Sequence, residues 1–168
     1  STVYNACILG GLEIVKASRH SRIIPYLPPS RDAMVSASSD LLIYNPTEYP
    51  VYIITKATQN ELFIAVYGQK SEYELKISNR IVKTIKPKPD KISVQGDNVP
   101  EHIKDALMSD NPERMKHIAY HEIRKVARDG LISEAYLEKY KDGILVESKL
   151  ISRDTYPPQQ GEIIRIVQ

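Results

Sequence analysis

The chain has no tryptophan, a single phenylalanine and a single cysteine, Cys7. One thiol excludes an internal disulfide framework, and with it the small secreted scaffolds that depend on crosslinks. Cys7 sits in the apolar run Ala6-Cys7-Ile8-Leu9, where a free cysteine behaves as a small buried hydrophobe rather than a reactive group. No apolar run reaches the length of about 18 residues that a membrane-spanning helix needs. The N-terminus also lacks the basic, apolar, then small order of a secretory signal. The chain opens in mid-element, so we expect a fragment of a longer protein whose signal or membrane anchor, if it has one, precedes Ser1.

An excess of charge of one sign is missing too. The 168 residues carry 23 basic and 21 acidic side chains, a net charge of +2, which is too balanced for a polyanion-binding surface. The lysines between positions 83 and 91 alternate with prolines and read as a solvated, stiff linker. Nucleic acid is therefore not an expected partner. What the chain does have is 42% hydrophobic residues, enough for a core, and eleven tyrosines, which suit β-structure.

Apolar positions from Val3 to Lys16 follow a mostly helical period, interrupted by Gly10-Gly11. Pro25, Pro28 and Pro29 then force an extended path. Strand-like segments follow at 40–45, 51–56, 61–67, 73–77 and 81–85, separated by turn residues. Beyond the proline-rich linker, 99–109 reads as a short helix opened by Pro100, and 115–128 has helical period up to Gly130. Asp142-Gly143 marks a hairpin between 131–140 and 144–152, and 162–167 closes the chain as a strand. The expected class is α+β: an N-terminal helix packed on an antiparallel sheet, then a linker and a small β-rich tail with one or two short helices.

Candidate chemistry is sparse. His117 and His121 are four apart with Glu122 behind them, but the metalloprotease pattern needs glutamate directly after the first histidine, and no third ligand is evident. No metal site and no cofactor are expected. His20, Asp32 and Asp40 lie within one short segment and have the residue types of a base and its orienter, although no nucleophile accompanies them. The competing reading makes Arg19, Arg22, Arg31 and these aspartates surface ion pairs and turn caps.

The words STVYNA, GLEIV, RHS, PYLPPSRDA and SSDLLIYNPTEYPVYI together resemble the VanW family, named for an accessory gene in vancomycin-resistance clusters. The resemblance spans roughly residues 1–83. It implies an exported or membrane-anchored envelope protein of Gram-positive bacteria. In such proteins a glycine-rich stretch ending in Cys-Gln normally precedes the segment that begins here at Ser1. From Arg128 to Val167 the chain is similar to the five-glycine domain, a small β module associated with cell-wall glycans, through Gly130, Gly143, the ISRDTY stretch and the last strand.

The expected layout is thus a truncated VanW-like domain at 1–86, a linker with a short helix at 87–112, and a five-glycine-like module at 113–168. The resemblance implies a module that binds peptidoglycan or spaces a protein from it, with Arg19, Arg31 and Tyr156 as candidate binding residues. Its alternative is an envelope-modifying, cysteine-dependent enzyme whose nucleophile lies upstream, with His20 and Asp32 or Asp40 as base and orienter.

Overall fold

A computed structural model describes residues 1–95 and 118–167. Its elements in chain order are helix α1 (Thr2–Leu9), then strands β1 (Glu13–Lys16), β2 (Leu42–Tyr44), β3 (Tyr52–Ala57), β4 (Leu62–Tyr67), β5 (Glu74–Ile85), β6 (Lys91–Gln95), β7 (Ile118–Lys125), β8 (Gly130–Lys141), β9 (Ile144–Tyr156) and β10 (Glu162–Val167). One eight-residue helix against ten strands among the described residues makes this a mostly β protein. The α+β expectation is therefore corrected. The expected single sheet is also divided, into β1-β2, β3-β4, β5-β8-β9 and β6-β10-β7.

Two local causes account for the lost helix. The helical period from Val3 to Lys16 stops at Leu9, because Gly11 turns into the left-handed region at φ 80° and the Leu12 amide closes back on the Cys7 carbonyl at 2.9 Å. A Cβ at Gly10 would collide with the Val66 side chain, so glycine there lets β4 approach the helix end. Glu13 to Lys16 then pairs antiparallel with β2 instead of continuing the helix. At 115–128 the helical period likewise loses: residues 118–125 form β7, held by antiparallel pairing to β10. Tertiary pairing overrides a pattern that short apolar runs leave ambiguous. The expected helix at 99–109 and His117 lie outside the described residues.

The chain divides into two compact units, 1–83 with 132–156, and 84–131 with 157–168. Compactness is thus discontinuous in sequence, with the β8–β9 hairpin belonging chiefly to the first unit. That hairpin turns on Asp142 at φ 52° and Gly143 at φ 78°, the two positive φ values a type I′ turn requires. In the second unit, β10 runs parallel to β6 and antiparallel to β7. The segment 87–90 leads directly into that sheet: the Gln160 side-chain amide donates to the Pro89 carbonyl at 2.7 Å and the Lys91 amide to Gly161 at 2.9 Å.

The core of the first unit gathers around Tyr4, Ile8 and Ala33, with Ile14, Leu41, Ile77, Leu137 and Ile151 packed against it. Cys7 is fully buried on the same helix, and burial pushes its thiol pKa up. It should react slowly with a thiol reagent in the native protein and quickly in denaturant. Cys7→Ala should cost about 1 kcal/mol of stability in a denaturant titration, from lost burial and a small void.

Candidate functional site

The site grows out of one isolated β-bridge. Ser18 and Met34 form an antiparallel bridge, with the Met34 amide donating to the Ser18 carbonyl at 2.9 Å. Extending that register by two residues sets His20 opposite Asp32. The His20 amide donates to Asp32 Oδ2 at 2.8 Å, and the ring Nδ1 lies 2.9 Å from the same oxygen. A carboxylate that accepts from Nδ1–H leaves Nε2 of the neutral ring as the basic nitrogen.

Asp32 is buried, at 1% exposure, whereas the His20 side chain keeps 33%. The other carboxylate oxygen is also satisfied: Tyr156, from the end of β9, donates its hydroxyl to Asp32 Oδ1 at 2.9 Å. That hydroxyl in turn accepts from the Ser30 amide at 2.8 Å. Ser30 is reached through Pro28-Pro29 and sits at φ 65°, an uncommon conformation for a non-glycine residue. Its Oγ donates to the Ser133 carbonyl on β8 at 3.1 Å, so the left-handed turn is fixed from two strands.

Arg19 makes the second layer. Its guanidinium donates to the Asp32 main-chain carbonyl, to the Tyr4 hydroxyl at 2.8 Å and to Ser152 Oγ at 3.1 Å, and Nε lies 3.6 Å from Asp154. Burial alone raises the Asp32 pKa. The His20 main-chain and ring donors, the Tyr156 hydroxyl and the Arg19 charge outweigh it, so the carboxyl is held below the usual range. Burial, with the neighbouring Asp32 and Asp154 charges, pushes the Tyr156 phenol up to about 12.

Of the sequence candidates, His20 and Asp32 are therefore brought together, and Asp40 is not. It is exposed and stands outside this hydrogen-bonded group. Ser1 binds the main chain of Ala33, the residue after Asp32, through its amine at 3.1 Å and its hydroxyl at 3.1 and 3.2 Å. The three candidate binding residues are all used internally. Arg19 acts as above, Arg31 donates to the Asn5 side chain at 3.0 Å, and Tyr156 is only 3% exposed. Ser30, Ser152 and Asp154 are not legible as partners in the sequence, because their contacts join segments more than a hundred residues apart. The one local signal was Pro-Pro-Ser ahead of Arg-Asp-Ala, which marks a constrained turn.

The chain is similar to known proteins over its first part. Residues 1–67 match the family model described as VanW like protein. Over 69 residues the chain is 38% identical to "Uncharacterized protein YoaR" of Bacillus subtilis (strain 168), a stretch that covers 40% of this chain and 23% of that protein. The chain thus spans under a quarter of that relative's length. Among solved structures, "IgA1 Protease G5 domain structure" aligns with 58% of this chain and 95% of its own at 12% identity and a TM-score of 0.28. "Crystal structure of HP0197-G5" aligns with 54% of this chain and 96% of its own, at 15% identity and a TM-score of 0.21. The N-terminal segment is VanW-like.

The stabilising effect of Asp32 is present above the unfolded carboxyl value of about 4 and is lost as pH falls through its lower folded value. Asp32→Asn should cost about 1–3 kcal/mol near neutrality and flatten the acid limb of a stability–pH curve. The raised Tyr156 phenol adds stability that is whole below about pH 10 and is lost as pH rises toward 12. Tyr156→Phe should remove that alkaline limb, read by thermal melts across the pH range.

Proposed function

Because residues 1–67 are VanW-like, we propose that this chain is part of an exported, cell-wall-associated protein that engages peptidoglycan, and that His20 and Asp32 are the acid–base half of a site that modifies it. The supporting observation is the hydrogen bond between His20 Nδ1 and a buried, ionised Asp32. Such a pair orients an imidazole and stabilises the imidazolium formed when Nε2 accepts a proton. Surface ion pairs do not require a carboxylate saturated on both oxygens by donors from β9 and the His20 segment. The nucleophile in this reading is a thiol from another part of the protein, since Cys7 is buried and its thiol is disfavoured as thiolate.

That same burial of Cys7 favours a second reading, in which this part of the protein binds or spaces at the wall without chemistry of its own. The β-rich portion beyond the VanW-like segment then acts as a spacer or glycan-binding module. Both readings place the protein outside the cell, and no helix among the described residues is long and apolar enough to cross a membrane.

Co-sedimentation of the chain with purified peptidoglycan tests what the two readings share, with retention in the pellet expected. Muropeptide analysis after incubation of sacculi with the full-length protein and its His20→Ala variant separates them. Altered crosslinks made by the first and not by the second support the modifying site. Identical muropeptides from both leave the binding and spacing reading.

A further inference from the structure

Three of the exposed tyrosines, Tyr49, Tyr52 and Tyr67, lie together. Tyr52 and Tyr67 stand directly opposite each other in the β3–β4 register, which puts their side chains on the same face of the hairpin. They are 65% and 56% exposed, and with Tyr49 and Pro50 they line an open concavity. A second concavity begins where this one ends, sharing Tyr67, Gly68 and Gln69, and continues past Thr47 and Ser71 to Tyr73. The two make one groove along the hairpin end, inside a single compact unit.

From this geometry we infer that the groove binds a glycan strand built of N-acetylated sugars, with Tyr52 and Tyr67 as its stacking platform. The inference rests on the cell-wall reading and names the ligand surface that reading lacks. A pyranose ring has an apolar C–H face and a rim of hydroxyl and acetamido groups. A tyrosine ring meets the first, while its hydroxyl and neighbouring amide and hydroxyl side chains meet the second. The lining supplies both: Tyr52 and Tyr67 for the apolar face, Thr47, Gln69 and Ser71 as uncharged donors and acceptors, and aliphatic side chains over much of the rest.

Charge narrows the occupant further. Among the described residues, Lys70 is the only charged side chain lining either concavity. A polyanion needs a row of cations, so nucleic acid does not suit it. A neutral polymer does. The shape is also held in advance of binding. The Asn45 side chain donates to the Tyr49 carbonyl at 2.8 Å, and Thr47 is bonded to Asn45 Oδ1 at 2.8 Å and to the Tyr49 carbonyl at 3.1 Å. At Gly68 an added Cβ would press on Val51 at 3.3 Å, so the small residue keeps the groove wall open. The 45–49 turn therefore has little ordering entropy left to lose on binding.

The test uses this chain, a chitin-derived tetramer of N-acetylglucosamine as soluble probe, and insoluble peptidoglycan. The expected result is tetramer binding in calorimetry that weakens about tenfold or more in the double variant Tyr52→Ala, Tyr67→Ala. The Tyr52→Phe, Tyr67→Phe variant, which keeps the rings, should bind nearly as the parent does. Both tyrosines are exposed, and unchanged melting temperatures of the two variants would show that the fold is intact. Equal binding of tetramer and peptidoglycan by parent and alanine variant overturns the groove and leaves the cell-wall reading standing. Failure of the parent chain to bind either probe overturns both. A concentration-dependent dimer that the alanine substitutions dissolve would give the groove to a second copy of this chain and overturn the inference.

Discussion

A carboxylate removed from water must be met by donors on both of its oxygens, and in this chain that requirement falls on Asp32. Left unpaired, such a charge would cost many kcal/mol, so the side chain would be protonated or the structure would rearrange. Instead the His20 amide and ring share one oxygen and the Tyr156 hydroxyl takes the other. The lowered pKa is the thermodynamic trace of that arrangement. Each donor then needs its own anchor: the Ser18–Met34 bridge for His20, and the left-handed Ser30 amide for Tyr156. Arg19 fastens the same spot to Tyr4, on the helix, and to Ser152 on β9.

The consequence is an asymmetry between two neighbours. Asp32 is sealed and ionised, while the imidazole it holds remains one-third open to solvent. A purely structural ion pair gains nothing from that asymmetry, because surface pairs contribute little and buried pairs are costly. An acid–base pair needs it: a fixed orienter behind, and an accessible nitrogen in front. The concavities along the β3–β4 hairpin, proposed above as a glycan surface, share no lining residue with this pair and present aromatic faces beside a single charged side chain among the described residues, Lys70.

Much of the local structure was legible in the sequence. Asp-Gly at 142–143 announced its turn because only positive φ closes a two-residue hairpin with the right twist. Proline, asparagine and glycine punctuation placed β2, β3, β4 and the last strand within a residue or two of their bounds. Helix and strand were confused where apolar residues were dense, at 3–16 and 115–128, because periodicity over a few turns does not decide between a buried helix and a buried strand. At the site, residue types and spacing paired His20 with Asp32 or Asp40 without deciding between them; the Ser18–Met34 bridge that selects Asp32 leaves no mark in the sequence. Tyr156, Ser152 and Asp154 were not readable as its support, since a strand returning from 120 residues further on leaves no local mark near position 32.

The proposed role of His20 depends on its ring being held through Nδ1 by an ionised Asp32. Nitrogen-15 NMR of the histidine ring reads this directly, since protonated and bare ring nitrogens differ widely in chemical shift. Neutral His20 is expected to carry its proton on Nδ1, with Nε2 bare, and Asp32→Asn to shift the balance toward the other tautomer. A ring protonated mainly on Nε2, or one indifferent to Asp32→Asn, would contradict that role.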